Sequence, residues 1–185
     1  METKIEPLVN KLYLSWKDIE IHTLNLSHHI LNYFSEVNLP DMLISIGRGG
    51  MIPTRLVSEC TTIKNIKVFD IKCYTDENKV GNIEIGHFDY DELEDKSIVL
   101  IDDVYTTGTT LNAVINSIEN NSKNCSISTA TLYWNTDNLQ SKDGKTKRPD
   151  VYSGVYSAKD TWIVFPWEEI WNTFSNYRNT EFARI

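Results

Sequence analysis

The sequence predicts an α/β protein built on a mostly parallel sheet flanked by helices. Two patterns carry that prediction. Short apolar runs at 42–46, 66–74, 97–101 and 126–134 alternate with stretches at 16–34, 51–60 and 109–118 that read as helices. Strands and helices in alternation build a parallel sheet with right-handed crossovers. Glycine-bearing loops, GRGG at 47–50 and TTGTT at 106–110, follow close on two of the runs. In parallel sheets ligands bind beyond the carboxyl ends of the strands, so the informative residues are expected there.

Ser15 followed by Asp18 reads as a helix N-cap with an acidic residue three positions on. Trp16, Ile19, Leu26, Ile30 and Phe34 then recur at helical spacing, which predicts an amphipathic helix over 16–34. His22, His28 and His29 on it are too scattered for a metal site and are assigned structural or surface roles. After Pro40 come a first strand at 42–46, a helix at 51–60 and a second strand at 66–74. The polar stretch 75–96, with Gly81 and Gly86, reads as an arm or hairpin. A third strand at 97–101, a helix at 109–118 and a fourth strand at 126–134 follow. Residues 140–150 form a charged loop, 160–170 pack aromatic side chains around Pro166, and the tail 169–185 reads as a helix or an oligomer contact.

The chain of 185 residues fits one domain with a core that needs no disulfide or metal staple. Its net charge of −8 disfavours nucleic acid and anionic membranes, whose phosphates this surface repels. An anionic substrate then needs a local positive pocket or a metal ion. Cys60, Cys73 and Cys125 form neither a close pair nor a metal spacing. They read as reduced thiols in a cytoplasm. The N-terminal METKIEPLVN lacks the apolar core of a secretory signal. No stretch approaches the roughly 20 apolar residues of a membrane helix.

Most of the chemistry lies in SIVLIDDVYTTGTTLNAVI, a strand, two aspartates, a Thr/Gly loop and a helix. Backbone N–H groups at a helix N-terminus are free to bind phosphate. Gly108 lets that loop close tightly, and Thr106, Thr107, Thr109 and Thr110 add hydroxyl donors. Asp102 and Asp103 beside such a cradle would repel a bare phosphate. A sugar diol and a hydrated Mg²⁺ between carboxylates and anion remove that conflict.

This segment resembles the signature of type I phosphoribosyltransferases: apolar strand, Asp-Asp, three residues, then Thr-Gly-x-Thr. The resemblance implies the type I phosphoribosyltransferase fold, a sheet with a small C-terminal hood contributed by about 135–170 and the N-terminal segment, all in one domain over 1–185. It implies that Asp102 and Asp103 hold the ribose hydroxyls and Mg²⁺, while Thr106 to Thr110 cradle the 5′-phosphate of 5-phosphoribosyl 1-pyrophosphate (PRPP). ISIGRGGMIP at 44–53 resembles the family's pyrophosphate loop, with Arg48 meeting the leaving group, Gly49 giving close backbone approach and a cis peptide at Gly47-Arg48. Cys73-Tyr74 resembles the start of the flexible catalytic loop, with Tyr74 and Lys79, or alternatively Lys72, reaching the pyrophosphate. KDTWIVFPWE at 159–168 resembles the hood of the xanthine-guanine and other 6-oxopurine enzymes. There Trp162 lies against the base, the Ile163 backbone reads its edge, and Glu168 stands near the metal.

Two positions depart from the 6-oxopurine pattern. Those enzymes place an aspartate where this chain has Thr106 and a lysine where it has Asn135. The cofactor half of the site therefore matches, and the base half is altered. The reading is a glycosyltransferase that joins a nucleobase, purine-like by resemblance, to PRPP in a cytoplasmic homodimer or homotetramer. Its alternatives are the same chemistry on a pyrimidine or modified base, or a non-catalytic regulator that senses PRPP.

Overall fold

The computed structural model describes residues 10–35, 37–74, 82–136, 148–156 and 161–170. In chain order the elements are β1 (Asn10–Tyr13), α1 (Trp16–Phe34), β2 (Met42–Gly47), α2 (Met51–Thr61), β3 (Ile66–Tyr74) and β4 (Asn82–Ile85). A 3₁₀ turn (Asp91–Leu93), β5 (Ser97–Tyr105), α3 (Thr109–Asn121), β6 (Ser126–Asn135), β7 (Val151–Tyr156) and β8 (Thr161–Val164) complete them.

Two compact units result. The larger, residues 22–157, holds a six-stranded sheet in the order β4-β3-β2-β5-β6-β7. Every neighbouring pair is parallel except β3 with β4, which is antiparallel. The chain leaves β2 for β3 on one side and later returns to β5 on the other. The crevice between β2 and β5 is thus the switch point where such sheets bind ligands.

Strand β2 up to Ile46 and β5 from Ile98 to Ile101 are fully buried, as parallel strands covered on both faces must be. Helix α3 lays Leu111, Val114 and Ile118 on Ile44, Ile46, Leu100 and Phe69. Each such side chain contributes about 1.5–3 kcal/mol of burial. Phe88 stacks on Phe69 with ring centroids 3.9 Å apart, tying the segment after β4 to the same core.

Histidines fasten α1 to the edge strand. His22 Nδ1 lies 2.8 Å from Ser153 Oγ and its ring 4.4 Å from Tyr133, while His29 Nδ1 lies 2.9 Å from the Tyr152 carbonyl. The predicted cap is present: Ser15 donates its N–H and hydroxyl to Asp18, whose own N–H returns to Ser15 Oγ.

The smaller unit contains described residues 10–21 and 161–170. Its β1 and β8 form a parallel two-stranded sheet. Phe165 and Trp167 stack at 4.6 Å, and Trp16 lies 6.1 Å from Trp167.

Several boundaries differ from the sequence reading. The third predicted strand, 97–101, continues to Tyr105 because Asp102, Val104 and Tyr105 find partners in Thr131, Tyr133 and Trp134 of β6. Asp102 and Asp103 therefore stand on the strand rather than after it. Strand β7 carries no period-2 signal, and the loop reading ended at its threshold. Asn135 closes β6 and Val151–Tyr156 form β7, both in the large sheet, while residues 140–147 of the expected charged loop lie outside the described residues.

Candidate active site

At the β2–α2 connection the Gly47–Arg48 peptide is cis. Gly50 N–H donates to the Ile46 carbonyl at 2.9 Å and Met51 N–H to that of Arg48 at 3.2 Å, closing a tight turn. Gly50 must lack a side chain, since a Cβ would stand 2.9 Å from the Ile46 oxygen and nearer still to that of Ile101. Arg48 is exposed and has no ion pair among the described residues.

Across the crevice, β5 presents the acid pair. Asp103 N–H donates to Asp102 Oδ1 at 3.0 Å, and Val104 N–H donates to Asp103 Oδ1 at 2.7 Å. The Asp103 carboxylate points toward Gly49, where a Cβ would lie 2.7 Å from its Cγ. Burial holds the Asp102 carboxyl well above the usual carboxylate range, and the charge of Asp103 adds to the rise. The donated Asp103 N–H offsets it in part.

The loop after β5 leads into α3. Gly108 has φ 73, a left-handed conformation that glycine adopts without cost. A Cβ there would also stand 2.6 Å from Cζ of the buried Tyr105. Thr107 Oγ1 and Thr109 Oγ1 are 2.8 Å apart, Thr107 and Thr109 are exposed, and Thr106 and Thr110 are half-buried. Asn112 N–H donates to the Gly108 carbonyl at 2.8 Å, so α3 begins directly at the loop. Its first-turn N–H groups form an anion cradle, with no acidic side chain in that turn to oppose it.

At the β6 and β7 ends, Asn135 is 2% exposed and register-paired with Tyr156. Burial pushes the Tyr156 phenol up, the Asn135 amide draws it back, and the charge of Asp103 adds to the rise. Tyr156 was not singled out in the sequence. Nothing in VYSGVY distinguishes it until β7 is placed beside β6.

The small unit carries the remaining expected residues. Trp162 is 60% exposed and Ile163 is buried. The Glu168 carboxylate accepts the Phe165 N–H at 2.9 Å. Among the described residues no three His, Cys, Asp or Glu side chains form a metal cluster. Tyr74 closes β3, Lys72 on the same strand is exposed, and Lys79 lies outside the described residues.

The Thr/Gly loop at the start of α3 and the Asp102–Asp103 pair, with Asp103 against Gly49, stand at the switch point where such sheets bind ligands. The phosphoribosyl transferase domain family matches residues 13–172, and the chain belongs to it. Xanthine phosphoribosyltransferase 1 of Saccharomyces cerevisiae is 27% identical over 194 residues, covering 85% of this chain and 90% of that one. The xanthine-guanine phosphoribosyltransferase of Desulfotalea psychrophila is 32% identical over 128 residues, 68% of this chain and 69% of that one. Among solved structures, a purine phosphoribosyltransferase from Pyrococcus horikoshii Ot3 is 30% identical with a TM-score of 0.67, covering 86% of this chain and 95% of the other.

Proposed function

We propose that this phosphoribosyltransferase transfers the 5-phosphoribosyl group of PRPP to a purine-like base, forming a nucleoside monophosphate. The C1–O bond to pyrophosphate breaks as a ring nitrogen of the base bonds C1, and the proton of that nitrogen departs. The observation that carries the reading is the acid pair and Thr/Gly cradle of β5–α3 facing the β2–α2 turn across the switch point.

In this reading Thr106, Thr107, Gly108, Thr109 and Thr110 hold the 5′-phosphate through hydroxyls and α3 N–H groups. Asp102 and Asp103 accept from the ribose hydroxyls and orient the sugar as positive charge grows at C1. Arg48 and the Gly49 backbone meet the departing pyrophosphate, aided by Tyr74 and Lys79. Trp162 and the Ile163 backbone are assigned to the base.

The donor set fits Mg²⁺. Asp102 and Asp103 offer adjacent hard oxygen donors, and the Asp102 carboxyl, raised first by burial and then by the charge of Asp103, stands where a bound cation would offset both. When bound, Mg²⁺ neutralises charge on the pyrophosphate. Glu168 is assigned near that metal, although its carboxylate also caps Phe165. The small unit corresponds to the hood of the single-domain reading. A homodimer or homotetramer in the cytoplasm completes the proposal, and among the described residues no helix is long and apolar enough to cross a membrane.

The departures at Thr106 and Asn135 leave a second reading, the same chemistry on a different heterocycle, which the purine phosphoribosyltransferase relatives do not favour. Pyrophosphate release measured over a panel of purine and pyrimidine bases tests both. Turnover of hypoxanthine, guanine or xanthine supports the first reading, turnover confined to other bases supports the second, and none with any base overturns both.

A further inference from the structure

Residues 106–108 alone connect the end of β5 at Tyr105 to the start of α3 at Thr109. The last of them, Gly108, sits at φ 73. Glycine takes positive and negative φ about equally, so nothing in the residue itself holds it there. Its carbonyl accepts the Asn112 N–H at 2.8 Å, which ties it forward to the helix. From the core side it meets Tyr105. A Cβ on Gly108 would stand 3.2 Å from Cε2 of that ring, 2.6 Å from Cζ and nearer still to the hydroxyl. The tip of the phenol thus fills the place that a side chain at residue 108 would take.

Tyr105 is itself firmly seated. It is 3% exposed and shares the core cluster with Leu100 of β5 and with Leu111, Val114 and Ile118 of α3. Its backbone is paired in register with Trp134 of β6, which fixes the strand end from which the ring projects. Burial, and then the charge of Asp150, push the phenol up, so the ring tip beside the cradle is neutral at neutral pH.

We propose that Tyr105 is a positioning residue, its ring acting through the Gly108 backbone to hold residues 106–110 in the shape that takes the 5′-phosphate. The proposal rests on the phosphoribosyltransferase reading above and adds to it a residue that touches no ligand. A cradle of N–H groups and hydroxyls binds phosphate well only when its donors already converge, since ordering them at the moment of binding costs affinity. A short loop of glycine and threonines has other conformations open to it. Those that carry Gly108 inward are closed by the ring.

The test is calorimetric binding of PRPP with Mg²⁺, ribose 5-phosphate and inorganic pyrophosphate to the wild type, Tyr105→Phe and Tyr105→Leu, with Tm measured alongside. Tyr105→Leu removes the ring tip and is expected to weaken PRPP and ribose 5-phosphate alike, by about 10-fold or more. Pyrophosphate carries no 5′-phosphate and is expected to bind within about twofold of the wild type. Tyr105→Phe keeps Cζ and Cε2 against Gly108 and is expected to rescue binding to within about threefold. A purely structural role would lower Tm without separating these ligands. Should Tyr105→Leu melt below the assay temperature, Tyr105→Met, an adaptable side chain of greater length, takes its place. Equal weakening of pyrophosphate, a loss as large in Tyr105→Phe, or unchanged PRPP affinity in a folded variant without the ring would overturn the proposal. A wild type that binds neither PRPP nor ribose 5-phosphate would overturn this proposal and the phosphoribosyltransferase reading together. A wild type that binds both, matched by its ring-free variant, overturns this one alone.

Discussion

The Asp103 carboxylate fills the space into which a side chain at residue 49 would grow. A Cβ on Gly49 would stand 2.7 Å from Asp103 Cγ, far inside van der Waals contact. Strand β5 and the β2–α2 turn, both assigned to the ligand, therefore approach closely at this point. Gly49→Ala must push the carboxylate aside or open the turn. A loss of at least about tenfold in kcat/KM is expected, equivalent to about 1.4 kcal/mol in the barrier. Steady-state assays of this variant with near-wild-type activity would show that Asp103 moves freely.

The same carboxylate should be indispensable chemically. Asp103→Asn keeps the shape but removes the charge proposed to orient ribose and metal. Turnover is expected to fall by a factor of about 100 or more, about 3 kcal/mol. Activity of the wild type is expected to vanish in excess chelator and to return with Mg²⁺. Full turnover in the variant or in chelator would remove the acid pair and metal from the mechanism.

Asp102 contributes to the pH dependence of the free protein's stability. Its carboxyl is raised in the folded state, first by burial and then by Asp103, so the fold binds that proton more tightly than the unfolded chain does. Its stabilising contribution is complete below the unfolded value of about 3.9 and is lost as pH rises through the raised folded value. Asp102→Asn removes that slope, because an amide oxygen still accepts the Asp103 N–H without a buried charge. Thermal melts in chelator should show the variant gaining on the wild type as pH rises from about 4. A constant difference across that range would contradict the assignment.

Asp150 holds the start of β7 to β6. It accepts from Thr129 N–H and Thr129 Oγ1, both at 2.8 Å, and its own N–H donates to Thr129 Oγ1 at 3.0 Å. Asp150→Ala leaves two donors short of a partner and should cost about 1–3 kcal/mol. Urea denaturation measures this directly, and a change below about 0.5 kcal/mol would mean that water replaces the bracket fully.

Thiol labelling should separate two of the cysteines. Cys60 is exposed, whereas Cys125 is half-buried and burial pushes its thiol up. Since the thiolate is the reactive form, alkylation near pH 8 should modify Cys60 first. Peptide mapping after brief treatment would reveal the reverse order if Cys125 were the more accessible.

Local order and the family's signature motif were readable from the chain by itself. The cap at Ser15, the helical spacing from Trp16 to Phe34 and the apolar runs of β2, β3 and β6 depend on near neighbours, so a single sequence records them. The Asp-Asp and Thr-Gly-x-Thr spacing was legible for the same reason, because one strand, one loop and one helix terminus assemble that half of the site. The rest depended on partners distant in the chain. Strand β5 extends to Tyr105 only because β6 supplies a ladder for it. Strands β1 and β8 exist only as each other's neighbour. His22 acquires its role from Ser153, 131 positions away. Asn135 and Tyr156 become a pair only when β6 and β7 lie side by side. Hydrogen bonds between strands and desolvation by packing are long-range in sequence, which is why tertiary structure alone decided these pairings.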